Sequence, residues 1–195
     1  MAATVQIISY YGDPLAKTAV TSQRFNTAIP SQRDPGLASP CNVPPAGLTY
    51  RSAWQYTGLE VTGGTYSQLT NFRIFGPKTI KTDWGLGSGK VQVALKGGSD
   101  AGIPVADLIA PTGSNGLYGY DILDGDHGIP YYAGESCADF DNYGTADPLV
   151  FDSSVITPSS PSKITKLATL QLVCEDDTQF GEKSELTCGI RWQEI

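Results

Sequence analysis

The sequence predicts an all-β fold, and within that class a β-sandwich of the jelly-roll type with long irregular loops. Three observations lead to this class. Short runs of β-branched and aromatic residues recur along the chain, bounded by Gly, Pro, Asn, Asp or Ser. Helical periodicity is almost absent, and the best helical candidate is one or two turns over residues 104–109, where Pro104 suits a first turn. With 22 glycines and 13 prolines in 195 residues, turn signals separate the apolar runs.

Period-two alternation predicts roughly seven to nine strands. In the segment 69–75, for example, Thr70, Phe72 and Ile74 share one face of the predicted strand. The main strand candidates are residues 4–11, 17–27, 50–61, 69–75, 90–95, 163–174 and 185–193, with shorter candidates at 117–122 and 149–152.

The chain length favours a single domain over residues 1–195. Residues 29–47 carry five prolines, and we interpret them as an extended Pro-rich arm or surface loop. Residues 97–148 are rich in Gly, Asp and Tyr, and we interpret them as a loop-rich excursion from the domain.

Charge and hydropathy exclude two kinds of partner. The net charge is −7 and Lys and Arg do not cluster, so nucleic-acid binding is not expected. No apolar run approaches the ~20 residues of a membrane-spanning helix, and residues 1–8 lack the basic and apolar regions of a signal peptide. We therefore expect synthesis and assembly in a cytoplasm.

Charged residues make up 17% of the chain against about 25% in typical domains, which favours a surface covered by partners or by copies of the chain.

The four cysteines are Cys41, Cys137, Cys174 and Cys188, and none forms a Cys-x-x-Cys pair that would indicate zinc. Cys174 and Cys188 lie in two successive strand candidates. If these strands pair as a hairpin, the two sulfurs can face each other as a disulfide. The alternative is that both are buried free thiols.

The richest carboxylate cluster is formed by Asp121, Asp124 and Asp126 around Gly125. Alternating carboxylates near a glycine suit a Ca²⁺ loop, because this cation needs several oxygen ligands on a sharply turning backbone. The spacing does not match an EF-hand. A tight Asp-Gly turn with acidic side chains is the favoured alternative, so no metal site or cofactor is assigned.

No catalytic set emerges, and we do not expect an enzyme. His127 could pair with Asp124 or Cys137 as base and nucleophile, but no nucleophile elbow is present. Residues 85–90 resemble a phosphate loop but lack its spacing and lead into a strand, which indicates a turn. The acidic residues at 175–177, 182 and 185 fit a solvated loop better than a glycosidase pair.

Several short segments resemble a group of β-rich structural proteins of tailed viruses and proviruses of bacteria and archaea. The resemblance is carried by an N-terminal strand, an Arg-Phe-x-Thr-Ala segment, a Tyr/Trp-bearing strand, an Asn-x-Arg-x-aromatic segment, a Trp-Gly-x-Gly segment and an aromatic-x-Glu ending. In this chain these are residues 4–12, 24–28, 50–56, 71–75, 84–87 and 191–195. The group's Pro-Gly-Thr turn before the last strand is replaced here by residues 179–182.

The resemblance implies a virion structural protein, either a capsid-surface decoration protein or a minor capsid protein, with a tail-tube component as an alternative. It implies a homo-oligomer, such as a trimer, that binds the major capsid protein or tail proteins and resides in the virion. From the residues alone a carbohydrate-binding or adhesin-type module stays open, because Trp54, Trp84 and Trp192 could stack sugars. A hydrolase on a β scaffold is the least favoured alternative.

Overall fold

The computed structural model describes residues 2–11, 16–21, 25, 41–52, 54–95 and 138–195. Within these ranges the chain is almost entirely β-structure. The strands are β1 Ala3–Tyr11, β2 Ala16–Ala19, β3 Tyr50–Arg51, β4 Gln55–Gly64, β5 Leu69–Phe75, β6 Lys90–Ala94, β7 Ala138–Asp139, β8 Leu149–Asp152, β9 Ala168–Cys174 and β10 Gly189–Glu194. The helices are α1 Ile80–Asp83 and a 3-10 turn at Phe140–Asn142. The prediction of an all-β class is confirmed.

The strands form two antiparallel sheets. The larger sheet has seven strands in the order β2-β1-β4-β9-β6-β7, with β3 also pairing with β9. The smaller sheet has three strands in the order β10-β5-β8. β9 occupies the middle of the larger sheet, because β3 and β4 pair along one of its edges and β6 pairs along the other.

β9 is buried along its whole length. Leu170 and Leu172 belong to the main apolar cluster, whereas the alternate residues Thr169 and Gln171 are equally buried on the opposite face. The Gln171 amide donates to the Ser52 carbonyl oxygen and accepts from the Gln92 amide, each at 2.9 Å. These bonds offset the cost of burying the polar side chain.

One cluster of buried apolar side chains draws on both sheets. β4, β6 and β9 contribute from the larger sheet, and β5 and β8 contribute from the smaller one. Phe72 on β5 and Phe151 on β8 are both fully buried in this cluster. The apolar faces of the two sheets therefore share a single core.

Three predicted strands differ in their bounds from the structure, two of them for local reasons. The segment 50–61 is interrupted between β3 and β4, where the Ser52 hydroxyl accepts from the Leu172 N–H in place of a backbone carbonyl. The segment 163–174 forms its strand only from Ala168, since the N–H of Lys166 donates to the Asp152 carboxylate. The segment 185–193 is a strand over Gly189–Glu194.

Other predictions fall partly or wholly outside the described residues. The strand predicted at 17–27 is Ala16–Ala19 where it is described, and the helix at 104–109 and strand at 117–122 lie outside. Of the Pro-rich segment 29–47, residues 41–47 are described. Residues 138–148, assigned to the excursion, contain β7, which pairs with β6. The single domain over 1–195 stays a prediction.

Gly64 at the end of β4 requires glycine. Its φ is +94°, and an added Cβ would lie 2.4 Å from the Ala2 carbonyl oxygen and 2.7 Å from the Ala3 Cα. We expect Gly64→Ala to lower the free energy of unfolding by about 1–3 kcal/mol, since the residue would sit in a left-handed conformation against backbone. Gly63→Ala is the matched control, because no atom lies within 4 Å of its added Cβ. Urea unfolding of both variants measures the difference, and equal losses would contradict this account.

Candidate interaction surface

The carboxylate cluster for which the sequence left a calcium loop as an alternative lies outside the described residues, as do His127 and Cys137. Within the described ranges, no group of three or more His, Cys, Asp or Glu side chains is arranged to hold a metal ion. A Ca²⁺ site at Asp121, Asp124 and Asp126 therefore stays the alternative that the sequence left open.

The cysteines are arranged differently from the predicted hairpin. β9 and β10 do not pair with each other, because β9 lies in the larger sheet and β10 pairs with β5 in the smaller one. The hairpin pairing on which a Cys174–Cys188 disulfide depended is therefore not present. The Cys174 Sγ instead lies 3.6 Å from the Cys41 Sγ, Cys188 is exposed, and all three are free thiols.

The acidic residues that follow β9 organise the loops at that end of the sheet. The Asp176 carboxylate accepts from the Gly47 N–H at 2.8 Å, and the Glu175 carboxylate accepts from the Thr49 hydroxyl at 2.7 Å. Two successive carboxylates thus hold the loop that leads into β3. We define the β9 loop cluster as residues 47–49, 84–88 and 175–184.

Asp177 and Thr178 hold the second loop of the cluster. The Asp177 carboxylate accepts from the Ser88 N–H at 2.9 Å and from the Ser88 hydroxyl at 2.8 Å. The Thr178 hydroxyl is buried and donates to the Leu86 carbonyl oxygen at 3.0 Å. These contacts confirm residues 85–90 as a turn leading into a strand, since β6 begins at Lys90.

Trp84 connects the segment 84–88 of the cluster to Ser184 and to Phe25. Its indole N–H donates to the Ser184 carbonyl oxygen at 2.9 Å, and its ring meets Phe25 edge to face with centroids 6.2 Å apart. This tryptophan, a candidate for sugar stacking in the sequence, is therefore engaged with its own chain.

The β9 loop cluster presents apolar side chains to solvent. Phe180 is 85% exposed and Leu48 is 52% exposed. Gln179, the residue before Phe180, is anchored at both of its backbone groups. Its N–H donates to the Gly85 carbonyl oxygen at 2.8 Å, and its carbonyl oxygen accepts from the Lys183 ammonium at 2.6 Å. An exposed aromatic ring on an anchored loop is suited to binding another apolar surface.

The contacts of Asp177 predict that the stability of the cluster depends on pH. Backbone and side-chain hydrogen bonds from Ser88 hold the pKa of Asp177 below its ordinary value of 3.8. A lowered folded-state pKa contributes stability above the unfolded pKa, and this contribution is lost as pH falls through the folded pKa. We therefore expect Asp177→Asn to be less stable than the native chain at pH 7. As the pH falls below 3.8, the native chain should lose the contribution of the Asp177 carboxylate, so that the difference in stability between the two chains becomes smaller.

The control for this prediction is Glu182→Gln, which removes an equal charge from the same loop cluster. Thermal unfolding between pH 7 and pH 2.5 compares the three chains. If Glu182→Gln and Asp177→Asn reduce the pH dependence of the unfolding temperature equally, that dependence comes from the net charge and not from the contact between Asp177 and Ser88.

Sequence reasoning missed Phe180, Leu48 and the contact between Cys41 and Cys174. The aromatic residue of the turn-rich stretch 179–182 was a signal that could have identified Phe180. The cysteine contact gives no local signal, since the two residues are 133 positions apart.

Comparison with protein-family models, curated proteins and solved structures finds no match to this chain. In the part of the chain that the structure describes, no helix is long and apolar enough to cross a membrane.

Proposed function

We propose that the chain is a structural protein of a tailed virus particle, a capsid-surface decoration or minor capsid protein that acts through self-association and capsid binding. Phe180 is the observation that carries the proposal, because a ring 85% exposed on an anchored loop favours a contact with another surface. The short segments that resemble virion structural proteins support the same function.

Burial of Phe180 and Leu48 would contribute favourable free energy to association through this surface. Burying a phenylalanine side chain contributes about 1.5–3 kcal/mol, and Leu48 on the same cluster adds further apolar area. The carboxylate contacts to Gly47, Thr49 and Ser88 already order the loops. A surface that is ordered before binding loses less conformational entropy when it docks.

The sheet arrangement supports an assembling protein as well. We infer that the two sheets, which share one apolar core, pack as a β-sandwich of the jelly-roll type. Among the described residues, β10 pairs with β5 and with no other strand. Association of copies is one way in which sheet proteins cover the edges of their sheets.

The test is light scattering of the purified chain over a range of concentrations, with electron microscopy of the same samples. The proposal expects a discrete oligomer, such as a trimer, and expects Phe180→Ser to weaken it at least tenfold, which corresponds to about 1.4 kcal/mol. Val155→Ser is the matched control, because Val155 is another exposed apolar residue and lies outside the β9 loop cluster.

The form of the assembly separates the structural roles. Rings or tubes would indicate a tail-tube component rather than a capsid-surface protein. A chain that is monomeric at every concentration and does not bind capsids would contradict the proposal.

A further inference from the structure

We propose that Cys41 and Cys174 form an intrachain disulfide that clamps the segment before β3 onto the end of β9. The two sulfurs are 3.6 Å apart, whereas a disulfide bond is about 2.05 Å long. Closing the pair therefore requires an approach of about 1.5 Å, which is within the range of side-chain rotation. This inference does not depend on the proposed function.

The surrounding chain keeps the two sulfurs together. Cys174 is the last residue of β9, is 3% exposed, and pairs with Tyr50 of β3. The chain between Cys41 and Tyr50 is held at the same end of β9 by the carboxylates of Asp176 and Glu175. The pair is thus positioned by contacts that do not involve sulfur.

The electrostatics of the pair favour a reactive thiolate. The hydrogen bond from Cys41 holds the pKa of the Cys174 thiol below its ordinary value, and the nearby Lys183 ammonium adds to this effect. The same hydrogen bond, followed by burial, raises the pKa of the Cys41 thiol. The pair therefore loses one proton readily, and the remaining S–H stabilises the negative charge.

The oxidation balances with a low-molecular-weight disulfide as the oxidant. The half-buried Cys41 sulfur is more exposed than Cys174, and it passes its proton to the Cys174 thiolate as it attacks one sulfur of the reagent and releases the first reagent thiolate. Cys174 gives that proton to the released thiolate and then attacks the Cys41 sulfur of the mixed disulfide, forming the intrachain bond and releasing the second reagent thiolate. The two protons lost by the cysteines are taken up by the two released thiolates.

The bond would join residues 133 positions apart and so restrict the unfolded chain strongly. Two thiols in a reducing cell would become a clamp in an oxidising medium. Cys188, which is exposed, has no role in the clamp.

The test treats the folded chain with oxidised glutathione at neutral pH, blocks remaining thiols under denaturing conditions, and maps tryptic peptides by mass spectrometry. Cleavage after Lys and Arg places the four cysteines in four different peptides, residues 34–51, 97–163, 167–183 and 184–191. We expect peptides 34–51 and 167–183 to be linked, in a chain that migrates as a monomer on a non-reducing gel.

Two variants sharpen the result. Cys188→Ser should keep the link, and Cys41→Ser should leave peptide 167–183 unlinked. Oxidation should raise the urea midpoint of the native chain and of Cys188→Ser, but not of Cys41→Ser. The proposal is overturned if Cys174 links to Cys188 or Cys137, if the link joins two chains, if all four thiols stay free, or if oxidation fails to raise the midpoint.

Discussion

Replacing Phe72 with alanine is expected to lower the free energy of unfolding by about 3–5 kcal/mol. Phe72 is fully buried on β5, the middle strand of the smaller sheet, and belongs to the apolar cluster that both sheets share. Truncation removes apolar contacts and leaves a cavity between elements that pair with their neighbours and cannot fully close it. Urea unfolding followed by far-ultraviolet circular dichroism measures the loss.

Phe180→Ala is the matched control for Phe72→Ala, because it makes the same chemical change at a ring that is almost fully exposed. We expect its effect on the free energy of unfolding of the monomer to stay within about 0.5 kcal/mol. Equal losses at the two positions would contradict the role of Phe72 in the shared core.

Asp152→Ala is expected to cost at least about 2 kcal/mol of unfolding free energy. Asp152 is fully buried at the end of β8, and its two carboxylate oxygens accept separate backbone N–H groups. One oxygen accepts from Ser154 at 2.9 Å and the other accepts from Lys166 at 2.8 Å. Alanine leaves both donors without this partner, and it releases the segment before β9 from the smaller sheet.

Two further variants test the explanation for Asp152. Asp152→Asn keeps one carbonyl-type oxygen and should retain part of the stability, since one of the two donors keeps an acceptor. Asp83→Ala removes an exposed carboxylate that accepts from the Thr79 hydroxyl, and we expect it to change stability by less than about 1 kcal/mol. A loss at Asp152 no larger than at Asp83 would contradict the bridging role.

Local alternation carries enough information to predict individual strands but not their neighbours. β5 was predicted with its observed bounds because Phe72 and Ile74 alternate with polar residues. In β9, alternation of Thr169 and Gln171 with leucines suggests one solvated face, whereas both faces are buried. The polar face is stabilised by Gln92 and Ser52, which come from distant parts of the sequence. No local pattern encodes that pairing.

The candidate site shows the same limit. Residues 175–177 look like a solvated acidic turn in the sequence, because an isolated carboxylate run has that structure most often. Their partners Gly47, Thr49 and Ser88 come together only through the sheet order that places β3 and β6 on the two edges of β9. The contact between Cys41 and Cys174 depends on that topology as well.

Under the proposed function, copies of the chain associate through the β9 loop cluster. The most direct measurement is amide hydrogen exchange by mass spectrometry at low and high protein concentration. The account predicts that exchange slows at high concentration in residues 47–49, 85–88 and 178–184, and that Phe180→Ser abolishes this protection. Protection that is confined to other segments such as β10, or that does not depend on concentration, would contradict it.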